Sequence, residues 1–407
     1  MKKNLCTALA GYFAGYLYIC CFIWGFSDCH PTRAWYPLLF LGAFVLWGEV
    51  VGRDRRPAGK AHLLFLTAMG MIALATALGR CRAASYWGLL ALHGLVGLWG
   101  LYRMGGNLGP DDPTLTLVDG FRAFVLVPFS HFFLRLTDVI QGCRFVGGER
   151  RRMARRELLI VLLCVGIALP LLLLAASLLG QADANFGALL EDLSQWQLSD
   201  EALSQLMRLL LGLPVGAYLY GLLAGAARGE APNREAIAQR LTEMRTLPAA
   251  AANAVFLMFI ALYLLFFGVQ AGNLLAVFQG RVPGRLTAAE YARSGFFQLC
   301  MVMGINFSLL ELANVLELAN VLAQSCRKSL SAVLMVQSLL LAVTAGAKLW
   351  LYISRFGFTP LRLLSAWGVL VLAAGCVFVL LSLSGRKNGF RNWLALAVLS
   401  FALLCFY

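Results

Sequence analysis

At least ten hydrophobic stretches of roughly membrane-spanning length follow one another along this chain with little polar sequence between them. A segment of about 20 apolar residues can cross a bilayer only as a helix, because lipid offers no partner for unpaired backbone groups. The spacing therefore predicts an all-α, polytopic transmembrane helix bundle. Eleven candidate spans fall near residues 5–26, 35–51, 61–79, 85–102, 157–180, 205–227, 249–270, 296–323, 329–353, 361–384 and 391–407. Charged residues make up 13% of the 407 residues and hydrophobic ones 60%, too few charges to cover a water-soluble surface.

The formal net charge of +14 does not point to nucleic acid, because the basic residues sit in short runs between apolar spans rather than along one face. Lys2 and Lys3 precede the first span, which lacks a small-residue cleavage site and reads as a retained helix. With the N-terminus cytoplasmic, Arg53, Arg55, Arg56 and Lys60, the run Arg150 to Arg156, then Arg327, Lys328, Arg386, Lys387 and Arg391 all fall inside, as the positive-inside rule requires. If residues 121–141 also spanned, everything after them would invert and most basic residues would lie outside. Arg122, Pro128, His131, Arg135 and Asp138 interrupt that stretch, so it reads as an amphipathic helix in the inner interface.

A second amphipathic helix is expected at 183–204, where Asp183, Glu191, Asp192, Asp200 and Glu201 alternate with Phe186, Leu189, Leu190, Leu193 and Trp196 at helical spacing. It reads as a solvated acidic face on the outer surface. The eleven cysteines are scattered without a C-x-x-C pair, so neither a metal site nor a cofactor is expected. Cys29 and Cys81 fall in predicted outer loops and could pair in an oxidising compartment, although unpaired thiols are the preferred reading. GGNLGP at 105–110 lacks the Walker lysine and reads as a turn. There is no G-x-S-x-G or H-E-x-x-H sequence, and no catalytic residue is assigned.

The span 296–323 is the most polar. It carries Gln298, Asn306, Glu311, Asn314, Glu317, Asn320 and Gln324, and ELANVL occurs twice in tandem. At 100° per residue Asn306, Glu317, Asn320 and Gln324 fall within about 60° of one another, flanked by Glu311 and Asn314. Glu311 would lie about 22 Å from the outer end. A carboxyl there should face protein or a water-filled cavity, a candidate proton or cation site, whereas the plainer role for these groups is to glue helices together. Glu290, Tyr291 and Arg293 before this span, with Lys348, Tyr352 and Arg355 ending the next and Arg362 opening the one after, form a candidate outer cluster. Interfacial anchoring explains it most simply. His93, inside the fourth span, reads as a packing residue.

The segments EYARSGFFQL at 290–299, NAVFLMFIALYLLFFG at 253–268, LWLYISRFGFTPLR at 349–362 and QADANFGALL at 181–190 resemble a family of bacterial multi-pass membrane proteins known as a domain of unknown function. The resemblance covers about residues 155–385. It implies a bacterial inner-membrane protein and carries no activity or site with it. The chain is accordingly divided into 1–156, four spans and a basic inner segment, and 157–407, seven spans resembling the family. The working function is a transport or permeation component with a polar intramembrane helix. The alternative is a non-enzymatic sensing or scaffold protein that assembles with another membrane or envelope protein. Beyond the lipid bilayer, a protein partner and homo-oligomerisation are left open.

Overall fold

The computed structural model describes residues 2–22, 34–57, 59–81, 85–109, 113–144, 200–229, 234–243, 245, 247–278, 295–316, 321–385 and 388–407, with isolated positions between 172 and 183. The described elements are helical throughout: α1 (Lys2–Phe22), α2 (Tyr36–Val51), α3 (Ala61–Ala77), α4 (Ser85–Arg103), α5 (Pro113–Phe121), a π-helical turn (Arg122–Leu126), α6 (Val127–Ser130), α7 (Leu134–Arg144), α8 (Asp200–Arg228), α9 (Arg234–Glu243), α10 (Ala249–Phe278), α11 (Phe296–Leu316), α12 (Val321–Phe356), α13 (Pro360–Leu383) and α14 (Gly389–Leu404).

Among the described residues six helices, not eleven, are long and apolar enough to cross a membrane: Asn4–Phe22, Leu203–Arg228, Ala250–Gln270, Phe296–Leu316, Cys326–Phe356 and Pro360–Leu383. The expectations at 35–51, 61–79 and 391–407 fail on length, because α2, α3 and α14 have 16, 17 and 16 residues. The expectation at 85–102 fails on composition: α4 carries Ser85, Tyr86, His93, Tyr102 and Arg103 among its leucines. The expectation at 157–180 lies outside the described residues but for isolated positions, and so does the acidic helix at 183–204 but for its last turn, which opens α8. The stretch expected in the interface, 121–141, belongs to Pro113–Ser130 and Leu134–Gly142, which meet at a 43° bend and together are apolar enough for one broken or re-entrant span.

The exposed surface identifies the solvent. Only 22% of Ala250–Gln270 is buried, and Met258, Leu265 and Val269 are each about seven-tenths exposed. An apolar face of that size would aggregate in water, so it faces lipid.

The chain forms two compact units. The first holds Met1–Arg80, Leu89–Asn107 and Asp119–Ala231; the second holds Cys81–Gly88, Leu108–Val118 and Pro232–Tyr407. In the first unit α1 packs along α8 through matched G-x-x-x-G spacings, Gly11 and Gly15 against Gly212 and Gly216. A Cβ built on Gly15 would overlap the Gly212 carbonyl oxygen, and one on Gly216 would overlap that of Gly11. Small residues let backbones approach this closely, which replaces the hydrophobic driving force that lipid does not supply.

Arg135 and Asp138 of α7 find partners inside the same unit. Arg135, 5% exposed, donates from Nε to Ala8 O at 3.1 Å and from Nη1 to Leu213 O at 3.0 Å, and stacks 3.5 Å from the centroid of the Tyr12 ring. Asp138 accepts from Tyr220 Oη at 2.5 Å and pairs with Arg228 at 2.5 Å. His93 Nδ1 lies 2.7 Å from Tyr18 Oη, among the rings of Phe22 and Phe124. Trp47 donates to Thr7 O and stacks on Tyr220.

In the second unit α12 packs against α10, α11 and α13, and α14 packs on α13. Phe256, Ile260 and Tyr263 of α10, Leu310 and Ala313 of α11, Leu334 and Met335 of α12, and Cys376 of α13 form one core. Cys81 hydrogen-bonds with Cys405 in this unit. Cys29, the disulfide partner considered for it, lies outside the described residues.

Candidate functional site

The polar residues of α11 divide into two kinds. Asn306 is fully buried; its Oδ1 accepts from Tyr263 Oη at 2.6 Å and its Nδ2 donates to Ser338 Oγ at 2.8 Å, so one side chain ties α10, α11 and α12 together. One turn away from these contacts, Gln337 Nε2 donates to Ile260 O at 3.1 Å, a second tie between α10 and α12. Asn306 thus acts as a structural junction. Replacing it with leucine removes two hydrogen bonds and leaves the Tyr263 hydroxyl buried without that acceptor, so unfolding in detergent should become easier by about 1–2 kcal/mol. Circular dichroism against a chemical denaturant reads that change.

Glu311 and Asn314 face elsewhere. Both line a cavity of about 760 Å³ formed where the C-terminal half of α11 meets the start of α12, the end of α13 and the start of α14. Thr114, in α5, donates from its hydroxyl to Glu311 Oε1. Arg245 and Arg327 also reach the cavity, and Phe307, Phe378, Phe390 and Trp393 supply its aromatic wall. Gly375 is what lets that wall close: a Cβ there would stand 2.9 Å from the Phe307 ring and 3.1 Å from Trp393 Nε1. Trp393 is held by donation from Nε1 to Val371 O at 2.9 Å. Asn388, in the left-handed region at φ 68°, precedes α14 without a side-chain capping bond and also lines the cavity.

The polar stripe expected over 296–323 is described as far as Leu316 and again from Val321. The Leu316 carbonyl accepts from Leu247 N at 2.9 Å. Glu317 and Asn320 lie outside the described residues, as do Glu290, Tyr291 and Arg293 of the outer cluster.

The remaining members of that cluster stand at the far end of α12. Lys348 Nζ approaches Gly295, within 3.4 Å of where a Cβ would be. Tyr352 packs against Phe356 with the rings tilted at 59°, and the Arg362 guanidinium lies 4.0 Å from the Tyr352 ring centroid while donating to Phe356 O at 2.8 Å and to Gly357 O. Arg362 therefore closes the C-terminus of α12, and Arg355 is exposed beside it.

Sequence reasoning passed over Thr114 and Arg245. Thr114 stands nearly two hundred residues from Glu311, and Arg245 sits in the short connection between α9 and α10, so no local pattern marks either. Among the described residues no group of three His, Cys, Asp or Glu is placed to hold a metal ion.

A family model described as a domain of unknown function (DUF4153) matches residues 37–407. The chain belongs to this family. The match begins at the start of α2 and runs to the last residue, so membership extends well beyond the 155–385 over which the resemblance is read in sequence. It takes in the α2–α4 region as well as α11 and the cavity residues. Most of the E-Y-A-R-x-G-F-F segment lies outside the described residues, while its closing Phe296 and Phe297 open α11. No curated protein and no solved structure matches the chain.

Proposed function

We propose that this membrane protein is a transport or permeation component whose solute site is the cavity at the end of α11. The observation that carries this reading is Glu311, a carboxyl on a helix of membrane-spanning length that lines a partly open cavity instead of being consumed in packing as Asn306 is. The volume, about 760 Å³, lies within the range that small-molecule sites occupy. An acid in a span, facing a cavity, is the usual signature of an ion or solute path.

The orientation proposed with it places the N-terminus in the cytoplasm of a bacterium, in the inner membrane. Its support is topological. α12 starts, α13 ends and α14 starts at one end of the second unit, so Arg327, Lys328 and Arg391 gather there with the cavity, as the positive-inside rule favours for a cytoplasmic face. In this orientation 121–141 serves as an inner re-entrant or interfacial segment.

The test is proton and ion flux into proteoliposomes of phosphatidylethanolamine and phosphatidylglycerol, followed with a pH-sensitive dye. The native protein should conduct, and Glu311→Gln at equal reconstituted amount should lower the flux about tenfold or more, with unfolding unchanged. Equal flux from both proteins would remove Glu311 from the path. No flux from either, across several ions, would sink the transport reading in favour of a sensing or scaffold protein, with crosslinking as the next step.

A further inference from the structure

We infer that the cavity of the second unit takes an amphiphilic anion, a phosphate or carboxylate head on an alkyl or acyl chain, with Arg245 and Arg327 holding the head and the aromatic wall holding the chain. The inference rests on the preceding reading only in taking this cavity as the ligand site, and it names the class of ligand.

Charge is the first argument. Two guanidiniums and one carboxylate line the cavity, and the carboxylate of Glu311 already accepts a hydrogen bond from Thr114. Guanidiniums on a cavity wall are groups that an incoming anion can engage. Arg245 adds a second, independent observation: its Nε is buried with no hydrogen-bond partner. A buried donor left unmade is costly, and an anionic head in this cavity would supply the missing acceptor. Guanidinium forks match the oxygen geometry of phosphate and carboxylate better than a point charge does.

The wall decides against a small inorganic anion. Phe378 and Phe390 line the same space as the two arginines, and the volume is far larger than an inorganic anion fills. A polar head at one end and apolar carbon against the rings uses both halves of the site. The location agrees, because the cavity lies at the basic ends of α12 and α14, the level at which a bilayer presents its headgroups. The ligand could arrive from the bilayer as a lipid or from water as a single-chain amphiphile; the head chemistry is common to both.

The experiment uses the full-length purified protein and native mass spectrometry, with dioleoyl phosphatidic acid, dioleoyl phosphatidylcholine, dodecyl phosphate and inorganic phosphate offered separately. Phosphatidic acid or dodecyl phosphate should be retained about tenfold over phosphatidylcholine, and Arg245→Gln with Arg327→Gln should erase that preference. Retention of phosphatidic acid identifies a bilayer source, and retention of dodecyl phosphate alone a soluble one. Arg245→Lys, which keeps the charge, should keep most of the preference, so a misfolded double variant does not leave the question open. The inference is overturned if the anionic and zwitterionic lipids are retained equally with no preference for dodecyl phosphate, if the preference survives loss of both arginines, or if inorganic phosphate binds as well as dodecyl phosphate. Binding is read here without flux. Arginine-dependent binding from a protein that does not conduct would keep the ligand class and remove the transport reading, while Glu311-dependent flux without such binding would do the reverse.

Discussion

Replacing Gly15 with leucine should separate α1 from α8 and leave the first unit unable to pack. The Gly15 Cα faces the α8 backbone itself, where a new Cβ meets the Gly212 carbonyl and the Gly216 amide rather than the movable end of a side chain. Both helices are packed further, α8 against α6 and α7 and α1 against α2 and α7, which opposes their moving apart. Overpacking in a core that can adjust costs about 1–3 kcal/mol, and a backbone collision belongs at or above the top of that range. The midpoint of thermal unfolding in detergent should fall by about 10 °C or more. Gly42, whose Cβ would meet nothing within 4 Å, gives the control: Gly42→Ala should leave the midpoint unchanged. Matching midpoints for Gly15→Leu and the native protein would show that the two helices do not touch as described.

The second large effect is expected at Asp138. Its carboxylate is 5% exposed, pairs with Arg228 and accepts from Tyr220, so it is the shared acceptor of a buried cluster. Asp138→Ala leaves the Arg228 guanidinium and the Tyr220 hydroxyl without their acceptor, and breaking a buried pair from one side costs about 3–5 kcal/mol. Arg228 is partly exposed and can turn toward water, which places the expected loss near the lower figure. Removing both charges with Asp138→Ala and Arg228→Met should cost less than Asp138→Ala alone, since no charge is then stranded. Chemical unfolding of the two single variants and the double variant measures this. Additive losses would contradict a coupled pair.

Helix content and lipid environment were legible in the apolar runs, because hydropathy depends on composition alone. The number of crossings was not. Sixteen or seventeen apolar residues look like a span in a hydropathy profile, but a helix of that length is shorter than the hydrocarbon it would have to cross. Arg135 and Asp138 misled in the opposite direction: read singly they argue against a buried helix, while in the fold Arg135 finds the carbonyls of Ala8 and Leu213 and Asp138 finds Arg228. Partners that distant leave no trace in local pattern. The glycines at 11, 15, 212 and 216 went unremarked in the sequence, although G-x-x-x-G in an apolar helix has a known packing meaning; which two helices they join shows only in the fold. At the candidate site, Glu311 stood out by its setting. Helical geometry set it on the flank of the stripe of Asn306, Glu317, Asn320 and Gln324, and in the fold Asn306 is spent in packing while Glu311 lines the cavity, a division that depends on partners far away in the chain.

Only Gly357, Phe358 and Thr359 separate α12 from α13, and Arg362 bolts this turn shut from within the next helix. Every contact involved spans ten residues or fewer, so closing the turn costs little chain entropy compared with docking α10 on α12. The two helices are thereby born as a hairpin. Local closure of this kind favours the α12–α13 pair over the longer-range contact of α12 with α10 as an early contact of this unit.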